Sequence, residues 1–258
     1  MRPVIPALLV LLLGHAAPAF AVAGDADCPA PVLALLGRAL EVAHFSPGPA
    51  GAVIASSCKR LPDDPALTLA AVAWDTHSED SRALAIAVVD EAASTLRAVR
   101  REEVEIDGAT RFNGLRLDTA PYTLAPGVRA FGVDLFLEDI GCDGTDAGPR
   151  RTLYVREGRV LRPVLDGLDM SEFVYLKGDK PHCLGPGDSR ESITESRDVT
   201  IALGETGRGG WRDLLLTVVA RRSDHRPSRL KPLHVRVPYD GQAYDLQAFD
   251  KAHDAWRH

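Results

Sequence analysis

The densest grouping of metal-competent side chains is Asp139-Ile140-Gly141-Cys142-Asp143-Gly144-Thr145-Asp146. Hard cations take clustered oxygen ligands, so aspartates this close raise the question of calcium. The spacing is not that of an EF-hand, and no Glu closes the loop. Asp and Gly are also ordinary turn residues. A loop tethered through Cys142 is the preferred reading, and no metal is assigned. Acyl transfer would need a Ser, a His and a carboxylate brought together. His77 stands beside Glu79 and Asp80, His182 precedes Cys183, and His225 lies in a basic connector, with Ser78 and Ser223 as candidate hydroxyls. The chain has no His-Glu-x-x-His zinc motif and no Gly-x-Ser-x-Gly elbow. The histidines are read as solvated, and no catalytic residue is assigned.

Other patterns exclude more than they suggest. Glu79-Asp80 and Glu102-Glu103 are sequence neighbours, and neighbours on a strand point to opposite faces, which is unsuited to shared acid/base work. The segment Gly204 to Gly210 lacks the Lys-Ser/Thr of a phosphate loop, so no nucleotide and no other cofactor is expected. Arg221, Arg222, Arg226, Arg229 and Lys231 form the densest basic patch, broken by Asp224. It is a candidate surface for an acidic glycan, a lipid headgroup or a protein partner. The competing reading is a solvated loop between strands. The net charge of −6 disfavours nucleic acid as a partner.

The N-terminus speaks of compartment. Arg2, an apolar run from Val4 to Leu13, and the small-residue segment ending Ala19-Phe20-Ala21 describe a secretory signal peptide over residues 1–21. The run is too short to span a bilayer, and no later segment is apolar enough to do so. A periplasmic or secreted protein is expected. The four cysteines, Cys28, Cys58, Cys142 and Cys183, all follow that segment. An even count in an oxidising compartment suggests two disulfides. The sequence-local pairing, Cys28–Cys58 and Cys142–Cys183, is favoured over the other two.

These residues need a scaffold. An apolar stripe of Val32, Leu35, Leu36, Ala39, Leu40 and Ala43 predicts a helix from Pro31 to His44, with Gly37 as its weak point. Gly51 to Cys58 is ambiguous, with a second short helix as the working reading. Residues 22–65 are thus taken as an N-terminal helical segment and 66–258 as a mainly β domain. Leu67 to Trp74 and Leu214 to Ala220 are continuously apolar and predict buried strands. Leu84, Ile86 and Val88 alternate, and Leu96 to Ile106 reads as a charged edge strand. Asp107-Gly108 signals a hairpin and Asn113-Gly114 a turn or bulge.

The centre runs from Leu115 through the Ala125-Pro126-Gly127 turn into a long strand. There Phe131, Val133, Leu135 and Leu137 share one face, with Ala130, Gly132 and Asp134 on the other. This is the period of a strand covered on one side. A hairpin across Glu157-Gly158 follows, ending at an Asp166-Gly167 turn. Ser171 to Ser189 reads as mostly loop, and Arg190 to Leu203 as a long strand. A last hairpin about Asp240-Gly241 would pair Tyr239 with Gln242 and Val237 with Tyr244. The tail from Gln247 frays or forms a short helix. Many short strands with Asp-Gly and Pro-Gly turns predict a sandwich or open barrel of antiparallel strands, with two sheets split near Ala109 as the alternative.

Leu117-Asp118-Thr119-Ala120-Pro121-Tyr122, then Ala125-Pro126-Gly127-Val128-Arg129-Ala130-Phe131-Gly132, and Arg162-Pro163-Val164-Leu165, resemble uncharacterised secreted proteins of Gram-negative bacteria. The resemblance implies a periplasmic or secreted protein and carries no activity and no functional residues. The expectation is a non-catalytic binding or interaction module with an envelope or extracellular partner. A secreted hydrolase with a fold-assembled site, or an enzyme inhibitor acting through Glu138 to Arg150, are the alternatives.

Overall fold

The computed structural model describes residues 26–106, 109–142, 145–178, 180, 183 and 192–257. The expected signal peptide, Asp107-Gly108, Asp143, Gly144 and His182 lie outside the described residues. Three antiparallel sheets form, each largely a meander of consecutive strands. Sheet A contains β1 (Val53–Leu61), β2 (Asp64–Trp74), β3 (Ser81–Asp90) and β4 (Thr95–Glu105). Sheet B contains β5 (Thr110–Ala125), β6 (Val128–Asp139), β8 (Arg150–Glu157) and β9 (Val160–Asp169). Sheet C contains β10 (Ser171–Lys177), β11 (Ile193–Thr206), β12 (Arg212–Arg222) and β13 (Leu233–Val237), with the short β7 (Thr145–Ala147) on its β10 edge. Helix α1 is Ala30–Leu40 and helix α2 is Gln247–Arg257. Among the described residues no helix is long and apolar enough to cross a membrane.

The layers follow from which face each residue occupies. In β2, Ala70, Val72 and Trp74 pack with α1, while Leu69, Ala71 and Ala73 pack with sheet B. That explains the unbroken apolar run, since this strand is covered on both sides. Sheet B is the middle layer. Leu117, Phe131, Val133 and Tyr154 face sheet A, and Leu124, Ala130, Leu153 and Val155 face sheet C and α2. The alternation in β6 therefore does not mark a strand covered on one side. Its second face is also covered, and Asp134 there is wholly buried. The Ala109 split is real, but it is one of two, because sheet C forms a third layer. The sandwich expectation holds.

Helix α1 ends at Glu41, whose left-handed backbone (φ 57°) lets Val42 N–H donate to the Gly37 carbonyl. Gly37 is required by packing, because a Cβ there would lie 2.5 Å from the Phe45 Cβ. Gly51 to Cys58 does not form a second helix. Most of it lies in β1, which pairs with β2 across the expected 65/66 boundary. No hairpin joins β4 to β5, since they lie in different sheets. Gly114 marks a bulge in β5. Strand β9 runs past Asp166-Gly167 to Asp169. Ser171–Lys177, read as loop, is strand β10, supported on both sides by β7 and β11.

The last hairpin has a different register. Tyr239 bridges Tyr244, and Asp240 N–H donates to the Ala243 carbonyl, so the connection is longer than two residues. Strand β13 takes β12 as its partner, pairing Val235 with Leu216. Helical propensity in the tail wins from Gln247 onward.

Candidate functional site

The two disulfides join Cys28 to Cys58 and Cys142 to Cys183, as the spacing suggested. The first ties the residue ahead of α1 to β1. The second ties the β6–β7 connection to the β10–β11 connection. Nearby, Asp139 Oδ2 receives the Lys180 ammonium at 3.2 Å. Asp139 Oδ1 accepts the Gly141 N–H at 2.7 Å. Asp139 is thus already engaged by this chain's own donors. Within Glu138 to Arg150, strand β7 is docked onto β10.

The basic connector spans the end of β12 and the approach to β13. Arg221 pairs with Asp198 at 2.8 Å, and Arg222 grips Asp224 with two hydrogen bonds, which holds the Asp224 pKa down at about 2. Arg226 shares Asp224 at 3.7 Å. Arg229 and Lys231 are exposed. Much of the positive charge seen in the sequence is therefore neutralised locally. The histidines stay apart. The His77 side chain is 93% exposed, and His234 Nδ1 meets the Thr217 hydroxyl at 2.9 Å on an open sheet face. Ser78 and Ser223 accept backbone N–H groups of Asp80 and Thr194. Among the described residues no serine hydroxyl bonds a histidine ring.

The largest buried polar assembly was not foreseen. Arg151 grips Asp134 with two parallel hydrogen bonds of 2.6 and 2.8 Å. Its remaining arm reaches Asp118 at 2.5 Å and the Tyr122 hydroxyl at 3.0 Å. Arg116 donates to the other side of Asp134 at 2.6 Å. Two guanidiniums meet two carboxylates, so the cluster is neutral. Burial and the Asp118 carboxylate push the Tyr122 pKa up to about 12, opposed by Arg151, and the phenol stays a donor to Asp118 at 2.8 Å. Gly132 makes the room, for a Cβ there would lie 3.2 Å from the Asp118 side chain and 3.3 Å from that of Arg151. Arg151, Asp134, Asp118 and Tyr122 hold one another within one sheet, which makes the cluster a structural staple of sheet B.

Several cavities open among the described residues, and two of them reach buried residues of sheet B. One, of about 320 Å³, lies beside α2 among Leu168, Val199, Phe249, Glu172, Arg197 and His253. Within it Glu172 accepts from both Arg197 and Arg257, at 3.0 and 2.9 Å. His253 is stacked between Phe249 and Trp256. Burial and Arg257 depress its pKa.

The other, of about 280 Å³, opens where sheets A and B part at one end. Leu67, Val88 and Phe131 form its apolar floor. The β1–β2 turn, Leu61 to Asp64, lies along its mouth. Opposite stands Thr119, in the stretch where β5 loses register between Asp118 and Tyr122. Arg129 and Arg156 bring two guanidiniums to the rim. Arg129 pairs with Asp63 and donates to the Thr119 carbonyl at 2.8 Å. Arg156, on β8, is exposed and makes no ion pair or side-chain hydrogen bond among the described residues.

Nothing in the sequence reading set Arg129 opposite Asp63, 66 residues away. Arg156 carried no signal, being one Arg in a short hairpin. Compared with known proteins, the chain matches no family model, no curated protein and no solved structure.

Proposed function

We propose that this protein is an exported, non-catalytic binding module whose ligand site is the cleft between sheets A and B. One observation carries the reading. The cleft joins a buried apolar floor to a guanidinium that has no partner among the described residues, the usual make-up of a small-molecule site. Two disulfides support an oxidising compartment, and with it the periplasm or the extracellular space. Among the described residues no serine hydroxyl meets a histidine ring, which favours binding over hydrolysis.

The test is amide chemical-shift mapping of the oxidised protein against a panel of neutral, anionic and cationic small molecules. The expected result is saturable shifts confined to residues 61–67, 88, 119, 127–131 and 156, abolished by Thr119→Trp at the mouth. A panel that perturbs no residue of the cleft at millimolar concentration would refute the site. Turnover of an ester or glycan that a point substitution removes without unfolding the protein would refute the non-catalytic reading.

A further inference from the structure

Resting on the cleft as the binding site, we infer that its ligand is a small amphipathic carboxylate, held by Arg156 and Arg129, whose head group displaces Asp63. The argument starts from the charges around the rim. Asp64 is exposed and its carboxylate accepts the backbone N–H of Ala66 in its own turn, at 3.3 Å. Asp63 and Arg129 neutralise each other. The two aspartates and two arginines of the rim balance, and within that balance Arg156 is the guanidinium with no carboxylate on it among the described residues, beside an apolar floor. A planar carboxylate matches a guanidinium through two parallel hydrogen bonds, and an apolar tail matches Leu67, Val88 and Phe131.

Asp63 then has a second meaning. Its side chain is 59% exposed, whereas that of Arg129 is 25% exposed. An ion pair with one partner so open contributes little to stability. The Asp63 carboxylate therefore occupies Arg129 as a replaceable internal surrogate for the ligand's own carboxylate. Binding exchanges one carboxylate for another on Arg129, and the β1–β2 turn is released from β6.

Isothermal titration of the full oxidised chain with octanoate, 1-octanol and octylammonium separates head from tail, since the three share one hydrocarbon chain. Octanoate is expected to bind tightest. Arg156→Ala should weaken it about tenfold or more, the scale of a lost charge-assisted pair. Asp63→Asn should tighten it several-fold by freeing Arg129, an opposite sign that general damage to the fold would not produce. If octanol binds the cleft as well as octanoate and neither substitution matters, the carboxylate assignment is overturned while the cleft stands as a binding site. If none of the three binds, both fail. If Arg156→Ala weakens octanoate but Asp63→Asn leaves it unchanged, displacement of Asp63 is overturned.

Discussion

The two faces of sheet B are held by different physics. Toward sheet A the seam is almost dry, with Leu69, Ala71, Leu84 and Ile86 meeting Leu117, Phe131, Val133 and Tyr154. Few side-chain bonds cross it: Tyr154 to Glu102 at 2.7 Å, Arg100 to the Leu161 carbonyl at 3.4 Å, Lys59 to the Leu117 carbonyl at 3.5 Å, and Arg129 to Asp63. Toward sheet C the same strands present the Asp134–Arg151 cluster among apolar neighbours. There β7 crosses from the sheet B stretch of chain into sheet C, and the Cys142–Cys183 disulfide fastens the crossing. Each seam leaves a gap at an end: the cleft by Leu67, Val88 and Phe131 toward sheet A, and the cavity by Leu168, Val199 and Phe249 toward sheet C.

The largest effect should come from Asp134→Ala. It strands Arg151, and such losses cost about 3–5 kcal/mol, read by urea unfolding. Burial opposes ionisation of Asp134, but hydrogen bonds and charge from Arg151 and Arg116 outweigh it and hold its pKa below the usual 3.8. Its stabilising share is therefore complete above the unfolded value and is lost as pH falls through the folded one. Wild-type stability should drop below about pH 4 more steeply than that of Asp134→Asn. An equal slope in the two would deny the cluster its ionic character.

Replacing Cys142 and Cys183 by Ala comes next, at about 3–4 kcal/mol in the chain-entropy picture. Amide exchange should then quicken in β7 and β10 while sheet A stays protected, and uniform quickening would erase the distinction between the seams. Tyr154→Phe probes the dry side. Burial and the Glu102 carboxylate raise the Tyr154 pKa, so it stays a donor, and its loss should cost about 1.5 kcal/mol. A loss as large as that at Asp134 would mean this seam too depends on polar bonds. Smallest is Asp63→Asn, within about 0.5 kcal/mol of wild type by thermal unfolding, as befits an exposed pair. A larger loss would make the rim pair structural rather than replaceable.

Leu67 to Trp74 was legible because both its faces are buried, whereas Leu214 to Ala220, read the same way, has one face open in the outer sheet, with Leu215 exposed. The disulfide pairing was legible from sequence distance. What escaped was whatever depended on a third layer. Asp134 reads as a solvent-facing residue in the alternation of β6, and only a partner 17 positions away, Arg151, makes its burial tolerable. Strand β10, Ser-Glu-Phe-Val-Tyr-Leu-Lys, was obscured by the loops on either side. The last hairpin failed because Asp240-Gly241 is a strong local turn signal, while the β12 edge was the better partner for Val235 and Val237. The cleft joins residues from both sheets, and no spacing in the sequence announces it.

The crossing of β7 also shapes the route to the native state. Sheets A and B are each complete once their own contiguous stretch of chain is available, through contacts between near neighbours in sequence. Sheet C alone requires a piece from an earlier stretch, Thr145 to Ala147, to find Val174 to Glu172. Closing that loop costs chain entropy before any of its hydrogen bonds repay it. In the oxidised chain the Cys142–Cys183 bond has closed it in advance. The disulfide thus works as a memory of register, returning β7 to its own edge and covering Glu172 to Val174 of β10 against pairing with another chain.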